Sequence, residues 1–128
     1  MSMKDYRRIV VEGEYYYGKH LIASAKGCNE TILDKTKIAE FLRDLAEAID
    51  MKPFGKPLVE RFGQGIEEGI SGVQLIETSA ITVHTNDMAK DLYLDVFSCK
   101  DFQEEEVVQW VQDHFVPAYF EHKVLLRR

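Results

Sequence analysis

Four residues between positions 71 and 99 carry side chains that could transfer protons or attack a carbonyl: Ser71, Ser79, His84 and Cys99. A serine hydroxyl becomes a nucleophile beside a base, histidine exchanges protons near neutral pH, and a thiol can donate one. Each also has an ordinary structural interpretation, as a turn hydroxyl, a half-buried strand histidine or a small buried apolar group. Neighbouring strands would bring these side chains together only in the correct register.

The elements that must position these residues follow from the apolar pattern. Strands are predicted at 6–12, 14–17, 18–27, 58–62, 73–77, 81–85, 92–99 and 119–126, with a polar, glycine-punctuated loop at 63–72. Helices are predicted at 34–50, with Asp34 as N-cap, and at 102–114, with Asp101 as N-cap. This pattern predicts an α+β two-layer sandwich, a mainly antiparallel sheet with two helices packed on one face.

Composition limits the classes of protein to consider. The 128 residues predict one domain over 1–128, and the net charge of −6 argues against nucleic acid as a partner. The longest apolar runs are too short to span a membrane. Neither the cysteines nor the histidines have metal-ligand spacing, so no metal is predicted. Only two cysteines, Cys28 and Cys99, are present, which predicts free thiols in a cytoplasmic protein, with Cys28 structural.

Several short motifs together resemble a known family. They are Gly18-Lys-His-Leu-Ile-Ala, Ile70-Ser-Gly-Val, Ser79-Ala-Ile-Thr-Val-His-Thr85 and Asp95-Val-Phe-Ser-Cys99. Over roughly residues 18 to 126 the chain resembles the prokaryotic S-adenosylmethionine decarboxylase proenzymes, the pyruvoyl enzymes of polyamine (spermidine) biosynthesis. The spacings from Ser79 to His84 and from Ser79 to Cys99 are those of the family.

The resemblance implies a role for each of the four residues. Ser79 would attack the carbonyl of Thr78, the chain would cut itself between these two residues, and Ser79 would become a pyruvoyl cofactor. His84 would remove a proton during this processing, and the hydroxyl of Ser71 would hold the processing intermediate. Cys99 would return a proton to the substrate after decarboxylation.

The resemblance also implies the substrate and the assembly. The pyruvoyl carbonyl would form a Schiff base with the amine of S-adenosylmethionine and accept electrons as carbon dioxide leaves. Phe62 would be one aromatic wall of the substrate-binding site. Family members pair as homodimers with the site near the interface, so we expect a homodimer here.

The sequence departs from the family pattern at several places. Thr78 stands where the family has glutamate, and Asn86 and Met88 stand where a tryptophan and a glutamate contact the nucleoside. The loop at 63–69 is about three residues longer than usual, and residues 1–17 form an N-terminal extension that could add a strand.

These departures leave three alternatives open beside S-adenosylmethionine decarboxylation. The first is a family member that decarboxylates another amino acid, such as arginine or ornithine. The second is a homologue that does not process itself and has a regulatory or binding role. The third is a structural α+β domain without a site.

Overall fold

The computed structural model describes residues 6–128 and contains one large and one small antiparallel sheet. The small sheet is a hairpin of β1 (Ile9–Val11) and β2 (Glu14–Tyr16). The large sheet has six strands in the order β4-β5-β6-β7-β3-β8. These strands are β3 (Gly18–Lys26), β4 (Leu58–Phe62), β5 (Gly69–Ile76), β6 (Ser79–Asn86), β7 (Asp91–Ser98) and β8 (Tyr119–Arg127).

The first helix, α1 (Lys35–Ala48), begins where the sequence predicts. The carboxylate of Asp34 accepts hydrogen bonds from the backbone N–H groups of Thr36 and Lys37, so the predicted N-cap is confirmed. The apolar face of α1 includes Phe41 and Leu42, both buried against the sheet. A single turn of 3-10 helix (Glu30–Leu33) precedes it.

The second helix, α2 (Glu104–Phe115), begins two residues later than predicted. Its N-cap is Gln103, and the predicted cap Asp101 is wrong. The carboxylate of Asp101 instead accepts hydrogen bonds from the N–H of Phe102 and the ammonium of Lys19, 2.9 and 3.2 Å away. The Asp101 carboxylate therefore binds groups that precede the helix instead of capping its first turn.

The core lies between the two helices and one face of the large sheet. Alternate strand residues such as Leu21, Ile81, Val83 and Leu94 point into it and are buried. The predicted α+β architecture with both helices packed against the sheet is confirmed. The opposite face of the sheet has no helix over it among residues 6–128 and is called the open face below. No helix in this described part has the length and apolar character that crossing a membrane requires.

One predicted boundary is wrong for a physical reason, and the N-terminal extension does form strands. The loop predicted at 63–72 ends earlier, because Gly69–Gly72 belongs to β5. A Cβ atom at Gly69 would stand 1.8 Å from the carbonyl oxygen of Thr85 on β6, so glycine is required here by close strand packing rather than by a turn. The extension contributes a separate hairpin and not a strand of the large sheet; its residues 1–5 lie outside the described part.

Candidate active site

Ser71 and His84 form a hydrogen-bonded pair on the open face. They are directly opposite each other in the antiparallel pairing of β5 with β6. The Oγ of Ser71 and the Nδ1 of His84 are 2.8 Å apart. Because the neighbouring residues Gly72 and Val83 point to the core, the alternation of the strands places this pair on the side away from the helices. The geometry suits a histidine base oriented by a hydroxyl.

Thr78 and Ser79 lie at the other end of β6, where the chain turns from β5. Ser79 is the first residue of β6 and is paired with Ile76 on β5 and Ser98 on β7. The backbone N–H of Cys99 donates a hydrogen bond of 3.1 Å to the carbonyl oxygen of Thr78. This N–H polarises the carbonyl that precedes Ser79 and would stabilise negative charge on its oxygen.

The side chain of Thr78 is held by hydrogen bonds with Ser98 and Met51. Ser98, which is fully buried, donates from its hydroxyl to the Oγ1 of Thr78 at 2.8 Å. The Thr78 hydroxyl in turn donates to the sulfur of Met51 at 3.4 Å. These contacts fix the peptide bond between Thr78 and Ser79 through a threonine side chain, at a position where the family has glutamate.

The two groups of residues are separated within one chain. His84 is five residues beyond Ser79 on the same strand, which corresponds to about 16 Å at a strand rise of about 3.3 Å per residue. Cys99 lies beyond Ser98, beside Thr78, at the Ser79 end. A single chain therefore brings Ser71 to His84 and Thr78–Ser79 to Cys99, but it does not bring these two pairs together.

Phe62 lies on the same side of the sheet as Ser71. Its ring is largely exposed at the end of β4, and it lines a groove of about 250 Å³ together with Leu58, Ser71 and Val73. The groove is almost entirely apolar. Phe62 is therefore close to Ser71 and offers an aromatic face to solvent.

The loop at residues 63–69 is held against the turn that follows β6. The side-chain amide of Asn86 donates to the carbonyl oxygen of Ile66 at 2.7 Å, and the N–H of Asp87 donates to that of Glu68 at 2.9 Å. The guanidinium of Arg61 forms an ion pair with the carboxylate of Asp87. Asn86 is thus used to hold the loop. Sequence reasoning missed this contact because it depends on pairing across 20 residues.

The residues on either side of the hairpin, Arg8 and Tyr17, interact with Cys99, and no local pattern in the sequence predicts this. The Nη2 of Arg8 donates a hydrogen bond to the sulfur of Cys99 at 3.4 Å. Electrostatic repulsion from the Cys99 side chain raises the pKa of Tyr17 above its usual value, with smaller contributions from loss of water, from nearby Tyr6 and from a hydrogen bond with Cys99. No family motif covers these positions, so only the tertiary structure could show them.

The other cysteine, Cys28, is part of the buried core. Cys28 and Cys99 are both free thiols, as predicted. Cys28 is buried, and this burial raises its pKa to about 11. Within residues 6–128, no group of three or more histidine, cysteine or acidic side chains is arranged to hold a metal ion.

Comparisons with known proteins show the family to which the chain is related. A family model described as S-adenosylmethionine decarboxylase matches residues 19–128. An S-adenosylmethionine decarboxylase proenzyme of Clostridium botulinum (strain Langeland) is 34% identical over 116 residues, which cover 88% of this chain and 95% of that protein. A proenzyme of the same description from Thermoanaerobacter sp. (strain X514) is 30% identical over 84 residues, covering 66% of this chain and 65% of the relative.

The fold is also similar to a solved structure. The crystal structure of the adenosylmethionine decarboxylase from Aquifex aeolicus VF5 superimposes with a TM-score of 0.74 and 21% sequence identity. The match covers 88% of this chain and 91% of that chain. At this identity the likeness supports the shared fold.

Proposed function

The chain belongs to the S-adenosylmethionine decarboxylase family, and we propose that it converts its own Ser79 into a pyruvoyl group and uses that group to decarboxylate S-adenosylmethionine. The observation that carries the proposal is the hydrogen bond from the Cys99 N–H to the carbonyl oxygen of Thr78, next to Ser79. The product, decarboxylated S-adenosylmethionine, would enter spermidine biosynthesis. We place the activity in the cytoplasm, which the two free thiols support.

Self-cleavage begins with the hydroxyl of Ser79. Its Oγ attacks the carbonyl carbon of Thr78, the C–N bond breaks, and the amide becomes an ester. The Cys99 N–H stabilises the negative charge that develops on the Thr78 oxygen. A base then removes the Cα proton of Ser79, the ester C–O bond breaks, and Thr78 leaves as a carboxylate. Addition of water and loss of ammonia convert the remaining residue into the pyruvoyl group.

His84, oriented by Ser71, is the base in this proposal, and a second copy of the chain must supply it. The His84 of one chain lies about 16 Å along β6 from its own Ser79, too far for direct proton transfer. If two open faces meet about a two-fold axis that passes over the middle of β6, the His84 of each chain approaches the start of β6 in the other, where the positive φ of Ser79 (157°) departs from the regular strand alternation. The homodimer would then contain two complete sites.

The open face has the surface that such a dimer requires. Large apolar side chains on it are exposed in the single chain, among them Leu58 at 64%, Leu75 at 52% and Leu125 at 40%. They lie on β4, β5 and β8 and so extend from one edge of the sheet to the other. Exposed apolar side chains on an uncovered sheet face favour association. The interface would bury these side chains together with the groove beside Phe62.

The residues at the Ser79 end fit a pyruvoyl group and its reaction. The pyruvoyl carbonyl supplies an electron-withdrawing group that accepts the electrons left behind by carbon dioxide. The polarised Thr78 carbonyl beside Ser79 fits the formation of that group. The thiol of Cys99 would return a proton to the substrate α-carbon. The Phe62 of the second chain, which lies beside Ser71, would contact the adenine through its exposed ring.

One observation supports a second candidate substrate. Asn86 is bound to the loop at Ile66, and Met88 is 68% exposed and has no hydrogen-bonding group for a ribose. Without the tryptophan and glutamate of the family, nucleoside recognition depends mainly on Phe62. A smaller amino acid such as arginine or ornithine therefore remains the alternative substrate.

Release of labelled carbon dioxide from carboxyl-labelled substrates tests the proposal. The wild-type protein should release it from S-adenosylmethionine, and Ser79→Ala, which cannot form the cofactor, should not. Release from arginine or ornithine with none from S-adenosylmethionine would establish the alternative substrate. Release from none of these substrates by a cleaved protein would refute decarboxylation of all three.

A further inference from the structure

The hairpin of β1 and β2 lies outside the family match, which begins at residue 19, yet it is firmly attached to the domain. Ile9 is only 1% exposed. The N–H of Tyr17 donates to the carbonyl oxygen of Arg127 on β8 at 2.7 Å. The guanidinium of Arg128 pairs with the carboxylate of Glu14 at 3.0 Å. These contacts hold the hairpin in a defined position beside the large sheet.

That position places a cation and an aromatic residue against Cys99. The Nη2 of Arg8 is 3.4 Å from the Cys99 sulfur. The ring of Tyr17 lies between those of Tyr6 and Phe97, with centroid separations of 5.1 and 6.4 Å. Phe97 is two residues before Cys99 on β7. The hairpin therefore covers the thiol from one side, with Arg8 in contact with the sulfur.

We propose that this hairpin is a functional part of the Cys99 site, in which Arg8 is a positioning residue that stabilises the thiolate form of Cys99. The inference rests on the proposed function of Cys99 as proton donor. When Cys99 donates, its S–H bond breaks, the proton goes to the substrate α-carbon and the electron pair stays on sulfur. A guanidinium, which remains charged at all relevant pH values, favours that anionic state until water returns a proton.

The reactivity of Cys99 toward iodoacetamide tests this contact without using the cofactor. The experiment uses uncut Ser79→Ala chains and measures the alkylation rate of Cys99 at pH 7 divided by the rate at pH 10. This ratio reports the fraction of Cys99 that is thiolate at pH 7. It cancels differences between variants in how easily iodoacetamide reaches the sulfur. Peptide mass analysis separates Cys99 from Cys28, whose burial raises its pKa to about 11.

Arg8→Gln should lower the ratio about two- to fivefold, the range expected for an exposed ion pair. Arg8→Lys should retain most of the wild-type ratio because it keeps the positive charge. Arg128→Gln is the matched control, since it removes an arginine that binds the same hairpin through Glu14 without contacting Cys99. An unchanged ratio in Arg8→Gln, or an equal fall in Arg128→Gln, would overturn the proposal.

A kinetic readout links the contact to function. In the cleaved enzyme, Arg8→Gln should lower kcat for decarboxylation about two- to fivefold with little change in KM, and Arg8→Lys should recover it. An unchanged kcat in an active enzyme would also overturn the proposal. A cleaved wild-type protein without decarboxylase activity would refute only the proposed function, because the alkylation ratio is measured on chains that never carry the cofactor.

Discussion

Two inactive variants should restore each other if the site is shared between two chains. His84→Ala retains Ser79 and Cys99 but lacks the proposed base, and Ser79→Ala retains the Ser71–His84 pair but has no residue to process. The separation of about 16 Å along β6 is far beyond the ~3 Å that a direct proton transfer requires. Each variant alone should therefore remain uncut.

Mixed dimers of these variants should contain one complete site. When equal amounts are unfolded together and refolded, random pairing gives mixed dimers as about half of all dimers. About half of the His84→Ala chains are then paired with a chain that supplies His84. We expect about half of the His84→Ala chains to be cleaved, and none of the Ser79→Ala chains.

Mass spectrometry of the refolded mixture measures this fraction directly. The matched control replaces Ser79→Ala with the double variant Ser79→Ala/His84→Ala, which offers no histidine and should give no cleavage. Efficient cleavage of His84→Ala by itself would show that His84 is not the base. A mixture that stays uncut, under conditions in which refolded wild-type chains are cleaved, would refute the shared site.

Three further predictions concern residues that stabilise the fold, and each is measured in uncut Ser79→Ala chains. Gly69→Ala should lower the free energy of unfolding by about 3 kcal/mol, because its Cβ would stand 1.8 Å from the carbonyl oxygen of Thr85. Urea unfolding measures this loss, and a loss below about 1 kcal/mol would show that β5 and β6 separate easily. Thr78→Val should cost about 1 kcal/mol in the same assay, because the buried Ser98 hydroxyl loses its oxygen acceptor and keeps only the more distant sulfur of Met51. An unchanged midpoint would contradict this. Burial raises the pKa of Cys28 from 9.0 to about 11, so the folded chain keeps this proton to a higher pH than the unfolded chain does. The free energy of unfolding should therefore fall as the pH rises from 9.0 to about 11. A Cys28→Ala variant should lack this part of the loss.

The local pattern of the sequence predicts much of the fold. The helical spacing of apolar residues and the carboxylate of Asp34 predict α1 and its start, because an N-cap depends only on adjacent backbone N–H groups. Asp101 shows the limit of this reasoning. It precedes an acidic helix start as a cap would, but Lys19, 82 residues earlier in the chain, competes for its carboxylate. Gly69 was assigned to a loop because the sequence does not show that Thr85 lies against it.

The types of the site residues could be predicted, but their arrangement could not. The family motifs indicate Ser71, Ser79, His84 and Cys99. Which of them meet depends on the register of β5 against β6, which pairs Ser71 with His84 and leaves Ser79 at the far end. The contact of Arg8 with Cys99 spans 91 residues and arises from the docking of the hairpin, for which no local pattern exists.

The proposed function requires that the chain cuts itself between Thr78 and Ser79. Intact-mass spectrometry of the purified wild-type protein measures this, with Ser79→Ala as the uncut control and Thr78→Glu as the variant that restores the family residue. We predict two fragments, residues 1–78 and residues 79–128, with the second beginning in a pyruvoyl group. A single 14.8 kDa species that persists after prolonged incubation would contradict the account, and cleavage that appears only in Thr78→Glu would identify a homologue that has lost processing.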